Sequence, residues 1–171
     1  MKLILHDFKP EESKKLPQPI KHKVEVFSAT PMIKTCTGCY GCWIKTPGQC
    51  VIEDRGQQFL KLVDEADEWH IISRLLYGQL APEVKAVMDR SIGYMLPFFE
   101  DSKGEQHHPT RYPDKKIRVI YHLYYLGDNK PPDDEIETMK KIIDANMLNL
   151  SIDDYDSHFY TGIEGVLEGL K

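Results

Sequence analysis

The sequence predicts a single α/β domain, a three-layer sandwich whose five-stranded parallel sheet has the strand order 2-1-3-4-5. Three observations predict it. Strand-like and helix-like segments alternate along the chain, the pattern that puts helices on both faces of a parallel sheet. No internal repeat, low-complexity tract or long linker divides the 171 residues, a length that suits one hydrophobic core. Five strand candidates with intervening helices are enough for that sheet.

Taken in order, Lys2–His6 reads as a short buried strand. The crossover from Asp7 to His22 is interrupted by Pro10, Pro17 and Pro19, so any helix around Glu11–Leu16 is short. Lys23–Ser28 is the second strand, with Val24 and Val26 alternating against charged neighbours. Asp54 is placed to cap the next helix, with Gln57 three residues on as in a capping box. Phe59, Leu62, Val63 and Ala66 then share one helical face. Trp69–Ser73 is a short apolar third strand, and Pro82 suits the first turn of the helix after it. That helix turns Val84, Val87, Met88 and Ile92 inward. Residues 93–114 are less regular, and their length suggests a functional excursion. Ile117–Leu126 is a strong β run. Asp133, Asp134 and Glu135 load the start of a helix with the charge its dipole favours, and Ile136, Met139, Ile143 and Met147 form its buried face. A last strand is expected within residues 151–160. The closing helix carries Ile163, Val166, Leu167 and Leu170 but is weakened by three glycines.

Composition narrows the function. A net charge of −5, with no long Lys/Arg block, argues against a nucleic-acid or membrane-surface partner. No apolar run approaches bilayer length. The N-terminus turns polar at His6-Asp7, too soon for a signal peptide, so a cytoplasmic location is expected.

All four cysteines lie between Cys36 and Cys50, in the spacing C-x2-C-x2-C-x7-C of Cys36, Cys39, Cys42 and Cys50. A secreted disulfide framework would spread its cysteines to tie distant segments together. This clustering suits a metal, a cluster or redox thiols better. Consecutive two-residue steps let a tight turn aim several thiolates at one centre, with glycines allowing a close wrap. Structural zinc more often uses two knuckles set farther apart. Spacing alone leaves an iron–sulfur cluster and bare, partly packed thiols both open.

A second segment, Ser73-Arg74-Leu75-Leu76-Tyr77-Gly78, follows the third strand directly. In an open sheet of this order ligands bind beyond the carboxyl ends of the strands, where the strand order reverses. A flat aromatic cofactor there needs backbone donors for its polar edge and an apolar face to lie on. The peptide N–H groups, with Leu76 or Tyr77, could provide both; an ordinary loop with a partly buried tyrosine is the plainer reading.

Together these segments resemble the NADPH-dependent FMN reductase branch of the flavodoxin-like flavoproteins, including the iron–sulfur flavoproteins. The resemblance runs from about residue 24 to 150. It is most specific in the C-x-G-C-x-x-C-W-x-K-T-P-G-x-C stretch from Cys36. Ser73–Gly78 is similar to the family's S-P-V-Y-x-G flavin loop, with Arg74 in place of proline. Lys85, Asp89 and Arg90 match its K-x-x-x-D-R helix end, and residues 107–112 are also similar. The resemblance implies FMN at a subunit interface of a homodimer or homotetramer, with NAD(P)H as electron donor. It places Ser73, Arg74, Leu75, Leu76, Tyr77 and Gly78 at the flavin. In some members a compact cysteine set like this one holds a 4Fe-4S cluster, which would make Cys36, Cys39, Cys42 and Cys50 its ligands. The thiol turn is then expected beside the flavin slot.

One departure stands out. The family's first strand ends in a loop rich in Gly, Ser, Thr and Asn that holds the FMN phosphate. Here the loop reads His6-Asp7-Phe8-Lys9-Pro10-Glu11-Glu12-Ser13. Three carboxylates would repel a phosphate, and only Lys9 and Ser13 could compensate. Charge-assisted phosphate contacts contribute roughly 1.5–3 kcal/mol each, so losing two would weaken FMN binding by roughly two to four orders of magnitude. A flavin-free relative serving as an interaction or subunit module is the alternative. His107 and His108 are expected to be solvated or at an interface. Asp89-Arg90 is expected to be a surface ion pair or subunit contact, and Tyr121, Tyr124 and Tyr125 are expected to be packing residues.

Overall fold

The computed structural model describes residues 1–16, 24–102, 104–126 and 130–170. Pro17 and Pro19 of the first crossover therefore lie outside the described residues. Five parallel strands form the main sheet: β1 (Lys2–His6), β2 (Val24–Ser28), β3 (Glu68–Leu76), β7 (Arg118–Tyr125) and β8 (Asp154–Thr161). Their spatial order is β2-β1-β3-β7-β8, the expected 2-1-3-4-5 arrangement. This is a flavodoxin-like fold.

Period-two alternation assigns the strand residues to two unequal cores. Leu3 and Leu5 of β1, Trp69 and Ile71 of β3, and Val119 and Tyr121 of β7 face the larger one. Helices α3 (Gln57–Glu65), α4 (Pro82–Asp89) and α5 (Asp133–Asn149) close it with Phe59, Val63, Val84, Val87, Met139 and Ile143. Ile4, Ile72 and Tyr124 point to the opposite face. There they meet Phe8 and Leu16, around the four-residue α1 (Pro10–Ser13), and Val166 of α6 (Gly162–Gly169). Packing accounts for two of the three glycines of α6, and a φ of 75° for the third, Gly162. A Cβ at Gly169 would stand 2.3 Å from the Tyr160 hydroxyl, and one at Gly165 would stand 3.2 Å from the Tyr160 Cβ.

Several boundaries differ from expectation. β3 does not stop at Ser73; it continues to Leu76 because β7 pairs with it as far as Arg74. A short antiparallel strand, β4 (Gln79–Leu80), then folds back on Leu75 and Leu76. The connecting Tyr77 and Gly78 both have positive φ, 52° and 72°, as a two-residue hairpin turn with the twist of the strands requires. The predicted capping box at Asp54 is absent. Asp54 instead accepts the Gly56 N–H just before α3, and Gln57 donates its side-chain amide to the Cys50 carbonyl. The irregular stretch after α4 contains a 3-10 turn (Arg90–Tyr94) and a small hairpin of β5 (Glu100–Ser102) and β6 (Glu105–His107).

The smaller core also holds an unexpected polar ladder across β3, β7 and β8. Glu68 bonds His70 Nε2 at 2.6 Å, His70 Nδ1 bonds His122 Nε2 at 2.9 Å, and His122 Nδ1 bonds the Tyr160 hydroxyl at 3.2 Å. Burial pushes His122 down to about 3, helped by the neighbouring His70 and His158, and burial alone pushes His6 down to about 4. Both fold as neutral rings, whereas the unfolded chain protonates them below about 6.5. Their contribution to stability is therefore complete above that pH and is lost as pH falls toward 3–4, at about 1.4 kcal/mol per pH unit for each ring. Urea midpoints measured between pH 7.5 and 5 are expected to fall accordingly. His122→Gln, which hydrogen-bonds without titrating, should flatten part of the fall, with His6 and His70, also pushed down by burial, supplying the rest.

Candidate functional site

The carboxyl ends of β1, β3 and β7 are tied by one buried carboxylate. Asp7, the first residue beyond β1, has a fully enclosed side chain. Its Oδ2 accepts the Arg74 backbone N–H and the Arg74 Nε–H, each at 3.0 Å, and its Oδ1 accepts the Tyr124 hydroxyl at 2.9 Å. All three partners donate, the pattern of an ionised carboxylate. Burial raises the Asp7 pKa, and the three donors work against that rise. The Arg74 guanidinium turns its other edge to Glu83, at 3.0 and 3.1 Å. Burial lowers the Arg74 pKa, but Asp7 more than offsets it, and Arg74 ends above its ordinary value. Tyr124 was expected only to pack; its hydroxyl is part of this knot.

The loop after β1 has its donors committed internally. Phe8 N–H donates to His6 Nδ1, Lys9 N–H to the Glu12 carboxylate, and the Glu12 and Ser13 N–H groups to the Lys9 carbonyl. Lys9 is exposed and Ser13 half-buried. A phosphate placed here would meet Asp7, Glu11 and Glu12. The FMN phosphate does not fit this loop.

The six residues predicted to line a flavin divide by role. Ser73 is enclosed, its hydroxyl donating to the Arg74 carbonyl and accepting the Ala81 N–H, so it serves the hairpin and not a ligand. The Gly78 N–H is likewise taken, by Glu135 at 3.1 Å. Arg74, Leu75, Leu76 and Tyr77 do border a cavity of about 200 Å³, completed by Tyr125, Leu126 and Glu135. Tyr77 and Leu126 are among the most exposed large apolar side chains, and they stand at its rim. The cavity stands at the carboxyl edge of the sheet, beside the β1/β3 switch point.

The cysteine loop lies elsewhere. Cys36, Cys39, Cys42 and Cys50 all border one small void of about 20 Å³, closed by Arg90 and Ile92 of the 3-10 turn. It shares no wall residue with the slot at 74–77, which corrects the expectation that the two adjoin. Arg90 is not a surface residue: its side chain is 1% exposed, and it holds the loop together. It bonds Asp54 at 2.6 and 2.7 Å, the Lys34 carbonyl at 3.2 Å and the Ile52 carbonyl at 3.0 Å. Trp43 adds a bond from its indole N–H to the Ile92 carbonyl. Burial pushes Asp54 up, but Arg90 and the Lys34 and Gly56 N–H groups outweigh it and hold the carboxyl below its usual range.

The four thiols differ in character. Cys39 is exposed, and the Gly41 N–H together with Thr37 lowers its pKa. Cys42 is buried, and burial with the nearby Cys50 raises its pKa. Four cysteines bordering one void have the donor chemistry of an iron–sulfur site. The void between them, however, has room for about one water molecule. An eight-atom 4Fe-4S cluster does not fit the loop in this conformation. Among the described residues, no three His, Cys, Asp or Glu side chains are grouped to hold a single metal ion.

A further cavity, of about 390 Å³, has no counterpart in the sequence analysis. It lies between the C-terminal halves of α4 and α5 under the β5–β6 hairpin, and its wall includes Met88, Met95, Phe99, His107, His108 and Asn149. His107 is buried and bonds Asn149 through Nδ1; His108 packs between the rings of Trp43 and Phe99. Neither is simply solvated. The unusual length of the segment was the one sequence signal that could have found the site.

The sheet order agrees with known folds. No protein-family model matches the chain, and no curated protein matches it significantly. Solved structures do. An FMN-dependent NADH-azoreductase from Bacillus anthracis, in complex with FMN, matches at 14% identity and TM-score 0.59, over 99% of this chain and 94% of that one. An NAD(P)H:quinone oxidoreductase from Methanothermobacter marburgensis matches at 13% identity and TM-score 0.63, with the same coverage. General stress protein 14 from Treponema denticola, in complex with FMN, matches at 13% identity and TM-score 0.54, over 99% of this chain and 90% of that one. The chain shares the flavodoxin-like fold of these structures. Among the described residues no helix is long and apolar enough to cross a membrane.

Two outcomes test this geometry. Substoichiometric iodoacetamide at pH 7 is expected to label Cys39 first, read by peptide mass mapping, because the thiolate is the nucleophile. Arg90→Ala should expose the Cys42 and Cys50 thiols to Ellman's reagent and lower unfolding stability by about 3–5 kcal/mol, since it strands a partly buried Asp54.

Proposed function

We propose that the chain is an NAD(P)H-dependent flavin oxidoreductase that takes flavin as an exchangeable substrate and not as a resident group. The observation that carries this reading is the cavity beyond the carboxyl ends of β3 and β7, next to the β1/β3 switch point where a sheet of this order binds its ligand. Leu76, Tyr77 and Leu126 offer apolar surface for a ring, and Arg74 and Glu135 offer charge at its edge. The reaction would be transfer of a hydride from NAD(P)H to the flavin, releasing NAD(P)⁺, with one proton drawn from solvent to complete the reduced flavin. The chain's contribution is orientation: the tight turn at Tyr77-Gly78, anchored by Glu135, fixes one wall of the slot. Solvent-open walls suit a ligand that arrives and leaves.

The resemblance in the cysteine and β3 segments supports a homodimer or homotetramer. The same resemblance raises an iron–sulfur role for Cys36, Cys39, Cys42 and Cys50, which would require the loop to open. Protein isolated without air decides between the two states of the thiols: broad visible absorbance with stoichiometric iron and sulfide means a cluster, and its absence means free thiols.

A second reading, a flavin-free interaction module, is favoured by the occupied phosphate position. NADPH oxidation that depends on added flavin discriminates the two. The oxidoreductase reading expects saturable, flavin-dependent turnover, and Leu126→Asp is expected to lower kcat/KM for flavin at least about tenfold by placing a charge against the ring. No turnover with any flavin or nicotinamide would leave the module reading in its place.

A further inference from the structure

The switch point of this sheet contains an anion site, and the chain fills it with its own carboxylate. Three donors converge there from two strands: the Arg74 backbone N–H, the Arg74 guanidinium and the Tyr124 hydroxyl. This is the donor set that a bound phosphate would use, in the crevice where a flavodoxin-like sheet receives its ligand. Asp7 reaches it from the end of β1 and is sealed beneath it, with no side-chain exposure. Phe8, 1% exposed, packs edge-on against Tyr124 beside it. The Phe8, Lys9, Glu12 and Ser13 N–H groups of the loop bond to His6, Glu12 and Lys9.

Arg74 makes the site matter for ligand choice. The same side chain that binds Asp7 forms a wall of the 200 Å³ slot, so ring site and anion site adjoin. A ligand whose ring enters the slot therefore brings its tail toward a position already holding a negative charge, with Glu83 on the other edge of the guanidinium. Two negative charges cannot share one set of donors without repulsion in a poorly solvated place.

We propose that Asp7 is a tethered occupant of the anion site, which makes the slot select a phosphate-free flavin, of the riboflavin type, over FMN. The ligand class rests on the flavin reading above; the self-occupied anion site does not.

The test compares riboflavin and FMN by fluorescence titration on the wild type and on Asp7→Gly, with thermal unfolding followed in the presence and absence of inorganic phosphate. The wild type is expected to bind riboflavin at least about tenfold tighter than FMN, and phosphate should leave its Tm unchanged. Asp7→Gly frees the three donors, so FMN affinity should rise at least about tenfold while riboflavin affinity holds, and phosphate should raise its Tm. Equal or tighter FMN binding by the wild type overturns the selectivity. A folded Asp7→Gly protein with neither an FMN gain nor a phosphate response overturns the anion site. If that variant does not fold, Asp7→Asn, isosteric and uncharged, should narrow the gap between the two flavins, and an unchanged gap overturns the proposal. If neither flavin binds the wild type, the flavin reading falls, and the phosphate response of the Asp7 variants alone decides the anion site.

Discussion

The arrangement of the sheet's carboxyl end depends on the burial of one aspartate. Asp7 takes donors from β3 and from β7 while standing at the end of β1, so a single carboxylate ties the three central strands. A buried charge is tolerable only when it is paired and hydrogen-bonded, and each of its partners is constrained in return. Arg74 is held in line with β3, which lets the strand run on to Leu76 and turn back through Tyr77-Gly78. The slot beside it inherits its shape from that turn.

Arg90 plays the corresponding part for the cysteine loop. The segment from Lys34 to Asp54 contains only one short helix, α2 (Gly41–Ile44), and cannot hold itself by backbone ladders. A guanidinium with several donors in a fixed fork can bind two carbonyls and a carboxylate at once, and Arg90 does so from the far end of α4. The thiols gather against the 3-10 turn as a result, and not against the slot. The two places with the most chemistry on the chain are thus set by two different arginines on elements either side of α4.

Much of the fold was legible because its signals are local. Val24 and Val26, the Pro82 helix start and the Met139–Ile143–Met147 stripe each reflect a period or a steric rule that acts within a few residues. The degenerate loop after β1 was legible as well, since Asp7, Glu11 and Glu12 exclude phosphate by charge alone. Less was visible where a residue's role depends on a distant partner. Arg90 looked like a surface cation, Tyr124 like packing, and His107 like a solvated ring. In each case the deciding contact spans 36 to 117 positions.

The sequence by itself determined the architecture, the strand order and the acidic character of the first loop. Alternation, caps and charge are properties of short segments and survive without knowledge of what they pack against. Only the tertiary structure decided that Asp7 meets Arg74 and Tyr124, that the four thiols close around a void too small for a cluster, and that the slot and the thiols stand apart. Those facts follow from strand register and from long side chains crossing between elements, and neither is encoded in any one stretch of the chain.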